Sequence, residues 1–333
     1  MNGVVDRLER HQVAVYLISI VAGAAVGLAV ADWAVADWAA VGWAAADLGS
    51  VLEYAINPLL GALLYVTFLQ VPVADLGKAL RDTRFLSALL VINFVAVPLV
   101  VAVMFALLPA QQAIQVGVLL VLLSPCVDYV IVFSGLAGGS STRLIAATPL
   151  LLVAQMALLP MFLWLFLGAE LADVVEVRPF VVAFVVLIVV PLALAWATQW
   201  WAARTRAGSR FTEAANTTMV PLMAAVLFVV VASQIPALDG NLSDVASVVP
   251  FYVAFLVVMA LLGSALATAF RLDTGGRRAL VFSGATRNSL VVLPLALALP
   301  AGFEIAAVVV VTQTLVEVIG MVVYVRLIPR LIT

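Results

Sequence analysis

Charged residues are scarce in this chain of 333 residues. Only 10% of the residues are charged, 66% are hydrophobic, and the mean hydropathy is +1.24. A soluble domain of this length needs many more polar residues to cover its surface. The composition therefore excludes a soluble fold and predicts an all-α protein that crosses the lipid bilayer many times.

Cysteine and histidine are nearly absent, with one residue of each. The single cysteine, Cys126, excludes a disulfide within the chain and any metal site built from several cysteines. His11 lies in the N-terminal tail, so a proton path through the membrane would need carboxylates. The sequence shows no nucleophile–base set and no cluster of metal ligands, so we expect neither an enzyme nor a cofactor. Its basic residues are too scattered to bind nucleic acid.

The charges alternate between the connections that join apolar segments. Acidic residues occupy every second connection, and basic residues occupy the others: Arg7, Arg10, Lys78, Arg81, Arg84, Arg143, Arg204, Arg206, Arg210, Arg271, Arg277, Arg278 and Arg330. The positive-inside rule places the basic set, and with it both termini, in the cytoplasm. We therefore predict a multi-pass protein of a bacterial-type inner cell membrane, with an even number of crossings.

Ten apolar segments are long enough to cross a bilayer. They are residues 13–30, 51–71, 85–107, 115–137, 144–168, 180–201, 215–235, 247–270, 279–299 and 304–328. We expect the first to be a retained helix after a cytoplasmic tail of residues 1–12. A signal peptide would have a shorter apolar stretch, and a polar secreted domain would follow it.

The two halves of the chain resemble each other. Residues 57–76 echo residues 220–238, with a proline near each end and a glutamine before the second proline. Each half holds five predicted crossings, so the two copies have opposite orientations in the membrane. We predict two inverted five-helix repeats, residues 13–168 and 180–328, within one membrane domain.

Two polar breaks interrupt the fourth and ninth segments. The first reads LLSPCVDYV from Leu122 and places Asp128 in the membrane. Charges at the bilayer centre cost about 2.5–3.5 kcal/mol and usually mark functional sites. The Ser124-Pro125 pair predicts a helix start, with Ser124 as N-cap and Cys126 in the first turn. The alternative for Cys126 is a small buried apolar residue in a packed helix.

The second break reads VFSGATRNSL from Val281 to Leu290. It brings Thr286 and Asn288 together with a membrane-embedded base, Arg287. One interpretation is that Arg287 extends to the cytoplasmic interface. The preferred interpretation is that the two breaks cross near the midplane and Arg287 faces Asp128, because each charge would offset the desolvation of the other.

Two more polar residues lie inside apolar segments. Asn93 lies in the third segment before Pro98, and Glu317 lies midway along the tenth segment beside Gln313. A buried carboxylate is most economically protonated or paired. Glu317 is therefore a candidate proton carrier, and the alternative is a structural hydrogen-bonding role.

At these residues the chain resembles the bile acid/sodium symporter superfamily, and within it the arsenical-resistance (arsenite efflux) permeases. The resemblance rests on Pro125-Cys126, on LAGG from Leu136 to Gly139, on Asn93 with Pro98, and on the closing stretch 312–331. It implies ten helices in two inverted five-helix repeats with crossed broken helices four and nine. It also implies that Cys126 takes part in As(III) transport.

The chain departs from this superfamily at four positions, one of which is Asp128, where the arsenite permeases have no acid. The sodium-coupled branch has a glutamate and a glutamine that bind Na⁺ where this chain has Ser283 and Arg287. A guanidinium there should exclude Na⁺, so we expect no sodium coupling. Typical arsenite permeases have a glutamate at the position of Leu290, and Asp128 or Glu317 could replace that carboxylate here.

The resemblance thus implies arsenite and antimonite efflux, and we predict that it proceeds by proton antiport with alternating access. The predicted substrate-binding residues are Cys126, Asn93, Ser124, Asn288 and Thr286; Asp128, Arg287 and Glu317 would serve coupling. Cys126 would contact As(III) as substrate and not as a structural metal. The alternative is a carrier of organic anions, such as bile-acid-like carboxylates or sulfonates, that is not coupled to Na⁺. Protons and the bilayer are the expected partners, and the oligomeric state stays open.

Overall fold

The computed structural model describes residues 11–35, 39–70, 82–127, 129–168, 182, 185–234, 242–297 and 299–333, and these are almost entirely helical. The α-helices are α1 (Gln12–Val35), α2 (Ala39–Leu69), α3 (Thr83–Val91), α4 (Val97–Phe105), α5 (Gln112–Leu122), α6 (Tyr129–Leu136), α7 (Ser141–Leu167), α8 (Val190–Ala202), α9 (Arg206–Asn216), α10 (Met219–Gln234), α11 (Leu242–Ala269), α12 (Thr274–Ala285), α13 (Ser289–Leu297) and α14 (Glu304–Leu331). Two π-helices, Ile92–Ala96 and Val185–Val189, precede α4 and α8. The described residues contain no β-strand.

Four helical stretches are long and apolar enough to cross a membrane. They are Thr83–Phe105, Leu150–Leu167, Val245–Ala269 and Glu304–Leu331. A fifth is added if α9 and the first part of α10, which meet at a bend of 42°, form one span. The all-helical, multi-pass class is therefore confirmed, whereas ten crossings and two inverted repeats stay predictions.

The helices divide into two compact units, and each unit draws on both halves of the sequence. The first unit takes its described residues from 1–70 and 181–242, and the second from 71–180 and 243–333. In the first unit α10 packs on α1 and α2, and α8 packs on α2. The Tyr65 hydroxyl lies 2.8 Å from the hydroxyl of Thr198, which links α2 to α8.

The second unit is built around α14, which packs against α5 and α13. Helix α5 approaches α14 closely because Gly117 has no side chain. A Cβ atom at Gly117 would lie 2.8 Å from the carbonyl oxygen of Ala306 and 3.0 Å from Cγ1 of Val309. This close approach holds the end of α5, and with it the first polar break, against α14.

We expect Gly117→Ala to lower the melting temperature of the purified protein by several degrees. A methyl group forced against the backbone of Ala306 costs about 1–3 kcal/mol in a packed interior. The matched control is Gly61→Ala in α2, where a new Cβ would meet nothing within 4 Å. Differential scanning fluorimetry in detergent measures both variants. Equal melting temperatures for the two would contradict the close packing of α5 on α14.

A polar network joins several helix ends of the second unit at the LAGG motif. Gly138 has a φ of +69°, which favours glycine. The Arg278 guanidinium donates to the carbonyl of Ala137 at 3.0 Å and to that of Ile332 at 2.8 Å. The motif therefore has a structural role, in fixing the end of α6 to α12.

Arg143 forms ion pairs with Asp82 and Asp273. Its hydrogen bond to Asp273 holds the pKa of that carboxyl below the usual value.

Candidate functional site

The two polar breaks meet in the second unit through their main chains. The Cys126 amide donates to the carbonyl of Thr286 at 3.2 Å, and the Asn288 amide donates to the carbonyl of Ser124 at 2.7 Å. These bonds form an isolated antiparallel bridge in which Pro125 faces Arg287. Backbone groups released by each helix break thus satisfy each other inside the protein, as groups at membrane depth must.

The bridge suits a proline opposite an arginine. Both hydrogen bonds use the neighbours of Pro125 and Arg287, so the two residues form a non-hydrogen-bonded pair. The N–H that Pro125 lacks is therefore not needed for pairing. For the same reason the main-chain N–H of Arg287 remains available, and it donates to Oε2 of Glu317 at 2.8 Å.

The first break differs from the expected helix start. Helix α5 ends at Leu122 and α6 begins at Tyr129, so Pro125 and Cys126 lie in a non-helical segment. Ser124 is not an N-cap, because its hydroxyl donates back to the carbonyl of Leu120 at 2.7 Å. The expectation that Cys126 occupies a first helical turn is wrong. Pairing with the second break keeps the segment extended.

Arg287 is completely buried, with 0% of its surface exposed, and its guanidinium caps two helix ends. It donates to the carbonyl of Leu122, the last residue of α5, at 3.2 Å. It also donates to the carbonyls of Ser283 at 2.7 Å and Gly284 at 2.8 Å in the last turn of α12. The negative ends of two helix dipoles thus face the same cation, which offsets part of its desolvation. This placement excludes the interpretation that Arg287 extends to the interface.

Asn93 connects the third predicted segment to Arg287. Its Oδ1 accepts a hydrogen bond from the guanidinium at 2.9 Å, and its Nδ2 donates to Oγ of Ser283 and to the carbonyl of Leu89, each at 3.0 Å. Asn93 lies in the π-helix Ile92–Ala96, which the sequence analysis did not predict. Such widened turns are frequent at functional sites.

Glu317 lies on α14 and contacts the main chain of Arg287, whereas Asn93 contacts its guanidinium. Its carboxylate accepts from the main chain of Arg287 and from Nε2 of Gln313, and it is 1% exposed. One turn earlier, Thr314 contacts the hydroxyl of Ser289 at 2.7 Å. Because Ser289 is the first residue of α13, this acid lies near the positive end of that helix dipole.

Two polar atoms in this region have no hydrogen-bond partner among the described residues. They are Nδ2 of Asn288 and Oε1 of Gln313, and both are buried. The other amide atom of each residue is engaged: Oδ1 of Asn288 accepts from the Val291 amide at 3.4 Å. Buried unsatisfied groups are rare and need an explanation. One donor and one acceptor are thus available to a small polar molecule.

The structure brings together Cys126, Asn93, Ser124, Asn288, Thr286, Arg287 and Glu317 from the predicted site. Asp128 lies outside the described residues, so its pairing with Arg287 stays a prediction. Sequence reasoning missed Phe255, whose ring centroid lies 5.5 Å from the guanidinium carbon of Arg287. No signal marks this residue, because α11 is apolar along most of its length.

A comparison with protein families shows which family this chain matches. A model of the sodium bile acid symporter family matches residues 57–242, which is more than half of the chain. The match includes Asn93 and the first break and ends before the second break. Among individual curated proteins, none matches the chain significantly.

Proposed function

We propose that this chain, which belongs to the sodium bile acid symporter family of membrane transporters, exports arsenite and antimonite in exchange for protons. The observation that carries the proposal is the position of Cys126. The only thiol of the chain lies in the segment that pairs with the second break, where the Cys126 amide donates to the carbonyl of Thr286. A lone thiol forms a single As–S bond, which suits a carrier because the substrate must be released.

The polar groups around the bridge support a small hydroxylated substrate. Arsenous acid, As(OH)₃, both donates and accepts hydrogen bonds. Nδ2 of Asn288 would donate to one of its oxygens, and Oε1 of Gln313 would accept from one of its hydroxyl groups. Cys126 is only 1% exposed in this structure. Substrate entry therefore requires a conformational change, as in alternating access between the two sides of the membrane.

Proton coupling would provide the driving force. As(OH)₃ is neutral near pH 7, so the membrane potential alone does not expel it. Among the described residues, Glu317 supplies a carboxylate at the site and is the first candidate for the proton carrier; Asp128 is the second.

We further propose that both termini lie in the cytoplasm and that the ten predicted crossings span a bacterial-type inner membrane, following the positive-inside rule.

The proposed transport does not depend on Na⁺. The Arg287 guanidinium already draws on four protein oxygens, from Leu122, Asn93, Ser283 and Gly284. A monovalent cation among these oxygens would be repelled by a fixed positive charge and would find the oxygens already engaged. The alternative substrate is an organic carboxylate or sulfonate. It gains less support, because these guanidinium contacts use donors that would hold an anion.

The test is arsenite accumulation in everted membrane vesicles with an acidic interior. Efflux from the cell corresponds to uptake into such vesicles, and protons leave as arsenite enters. We expect wild-type protein to accumulate arsenite only with the gradient, and Cys126→Ala to reduce the initial rate at least tenfold. The matched control is Val132→Ala, a truncation in the neighbouring helix α6 that should leave the rate unchanged.

Two outcomes would contradict the proposal. Arsenite uptake no higher than in vesicles without the protein, with the protein verified in the membrane, would exclude arsenite as substrate. Gradient-dependent uptake of taurocholate by the same vesicles would then favour the organic-anion alternative. Full arsenite uptake by Cys126→Ala would exclude the As–S contact.

A further inference from the structure

A cluster of arginine and aromatic side chains lies where α8 turns into α9, within the first unit. This basic aromatic corner consists of six exposed residues: Trp200, Trp201, Arg204, Arg206, Arg210 and Phe211. Trp200 is 63% exposed and Phe211 46%. The proposed transport chemistry uses none of these residues, so the corner calls for a separate explanation.

The backbone of the corner is firmly held. The hydroxyl of Thr205 accepts from the Gly208 amide at 3.1 Å and so caps the start of α9. Gly208 is buried, and a Cβ atom there would lie 2.7 Å from Cα of Ala202. Helix α9 therefore packs directly on the last turn of α8, and the exposed side chains project from a fixed surface.

The arginines of the corner have almost no partners within the protein. Arg204 stacks on Trp200, with 3.7 Å between the guanidinium carbon and the ring centroid, and donates to the Trp200 carbonyl at 3.4 Å. Arg206 and Arg210 have no hydrogen-bond or ion-pair partner in the part of the chain that the structure describes. The acid of α9, Glu213, contacts Ser209 at 3.5 Å instead. Among the described residues, these three cations have no compensating carboxylate.

Apolar rings lie directly beside these cations. The ring centroids of Trp201 and Phe211 are 6.0 Å apart, so one aromatic pair joins α8 to α9. Tryptophan is enriched where acyl chains meet headgroups, and a guanidinium binds phosphate oxygens in a two-point geometry. An acidic protein segment would match the charges but not the exposed rings, whereas a phospholipid matches both.

We propose that the basic aromatic corner binds the phosphate headgroups of anionic phospholipids. Arg204, Arg206 and Arg210 contact the headgroups, and the rings enter the adjoining acyl layer. The corner thereby anchors the connection between α8 and α10 to an anionic leaflet. This inference does not depend on which substrate the protein carries.

The test is lipid-dependent thermal stability of the full-length protein in a neutral detergent. We expect phosphatidylglycerol to raise the melting temperature, and phosphatidylcholine with the same acyl chains not to raise it. In the double variant Arg206→Gln, Arg210→Gln the half-maximal phosphatidylglycerol concentration should rise roughly 25-fold, because each arginine near an anionic surface contributes about fivefold. The control, Arg326→Gln with Arg330→Gln, removes two exposed arginines of α14; it should shift the titration less, because it leaves the corner intact.

If the double variant has a lowered melting temperature without lipid, the single variant Arg206→Gln is measured instead. Its half-maximal phosphatidylglycerol concentration should rise about fivefold. An equal shift in the α14 control would overturn the assignment to this corner. An equal rise with phosphatidylcholine would overturn the recognition of charge. A larger rise with polyglutamate than with phosphatidylglycerol would identify an acidic protein segment as the ligand.

Discussion

Arg287→Leu should abolish transport of every substrate, with initial rates in proteoliposomes at least 100-fold below wild type. The substitution leaves the carbonyls of Leu122, Ser283 and Gly284 and Oδ1 of Asn93 without the donor that now satisfies them. Each buried acceptor left unpaired costs about 1–3 kcal/mol. The crossing of the two breaks should therefore loosen, and the melting temperature should fall together with the rate.

A lysine at the same position separates charge from shape. Arg287→Lys keeps the positive charge, but a compact ammonium group cannot reach both helix ends and Asn93 together. We expect a loss of about tenfold or more in rate, in line with about 1.4 kcal/mol per factor of ten. Arg326→Leu, at an exposed arginine, is the control for general effects of losing a guanidinium. Wild-type rates in Arg287→Lys would show that charge alone suffices and would contradict the capping role.

Glu317→Gln should uncouple transport from the proton gradient. Glutamine has nearly the shape of glutamate and keeps an oxygen for the Arg287 amide, but it does not exchange a proton at neutral pH. We expect gradient-driven arsenite accumulation to disappear, while exchange of labelled arsenite for unlabelled arsenite continues within a fewfold of wild type. Both rates are measured in the same everted vesicles.

Glu304→Gln is a matched control on the same helix. Glu304 lies in the first turn of α14, is exposed, and accepts from the Gly302 amide at 3.0 Å. It should accumulate arsenite at the wild-type rate. Persistence of accumulation in Glu317→Gln would assign the proton to another carboxylate, and Asp128→Asn would then be the variant to measure. Loss of both accumulation and exchange would indicate a structural role for Glu317.

The polar residues of the site could be identified from the sequence because burying a polar or charged side chain within an apolar membrane segment costs free energy. Asn93, Arg287 and Glu317 interrupt otherwise apolar segments, and composition alone was enough to assign those segments to a membrane protein. The partner expected for Arg287 was Asp128, which lies outside the described residues. The structure instead shows the guanidinium bonded to Asn93 and to main-chain carbonyls. The family match over residues 57–242 supports the transporter class without deciding the substrate.

Other features depended on contacts between distant parts of the chain. The Ser124-Pro125 pair has the pattern of a helix start, yet main-chain pairing with Thr286 and Asn288 holds the segment extended. The π-helix around Asn93 and the ring of Phe255 beside Arg287 carry no distinctive local pattern. The two compact units also mix the sequence halves, because helix packing joins segments that are far apart in the chain.

The bridge between Pro125 and Arg287 is held by main-chain atoms, whereas the groups available for chemistry are side chains. Its two hydrogen bonds run between main-chain atoms, so they survive most changes of side chain at Cys126, Thr286 or Asn288. A scaffold of this kind tolerates exchange of its reactive groups while the frame that presents them stays in place. Under the proposed function, substitutions at these three positions would alter what is carried before they alter whether the protein folds.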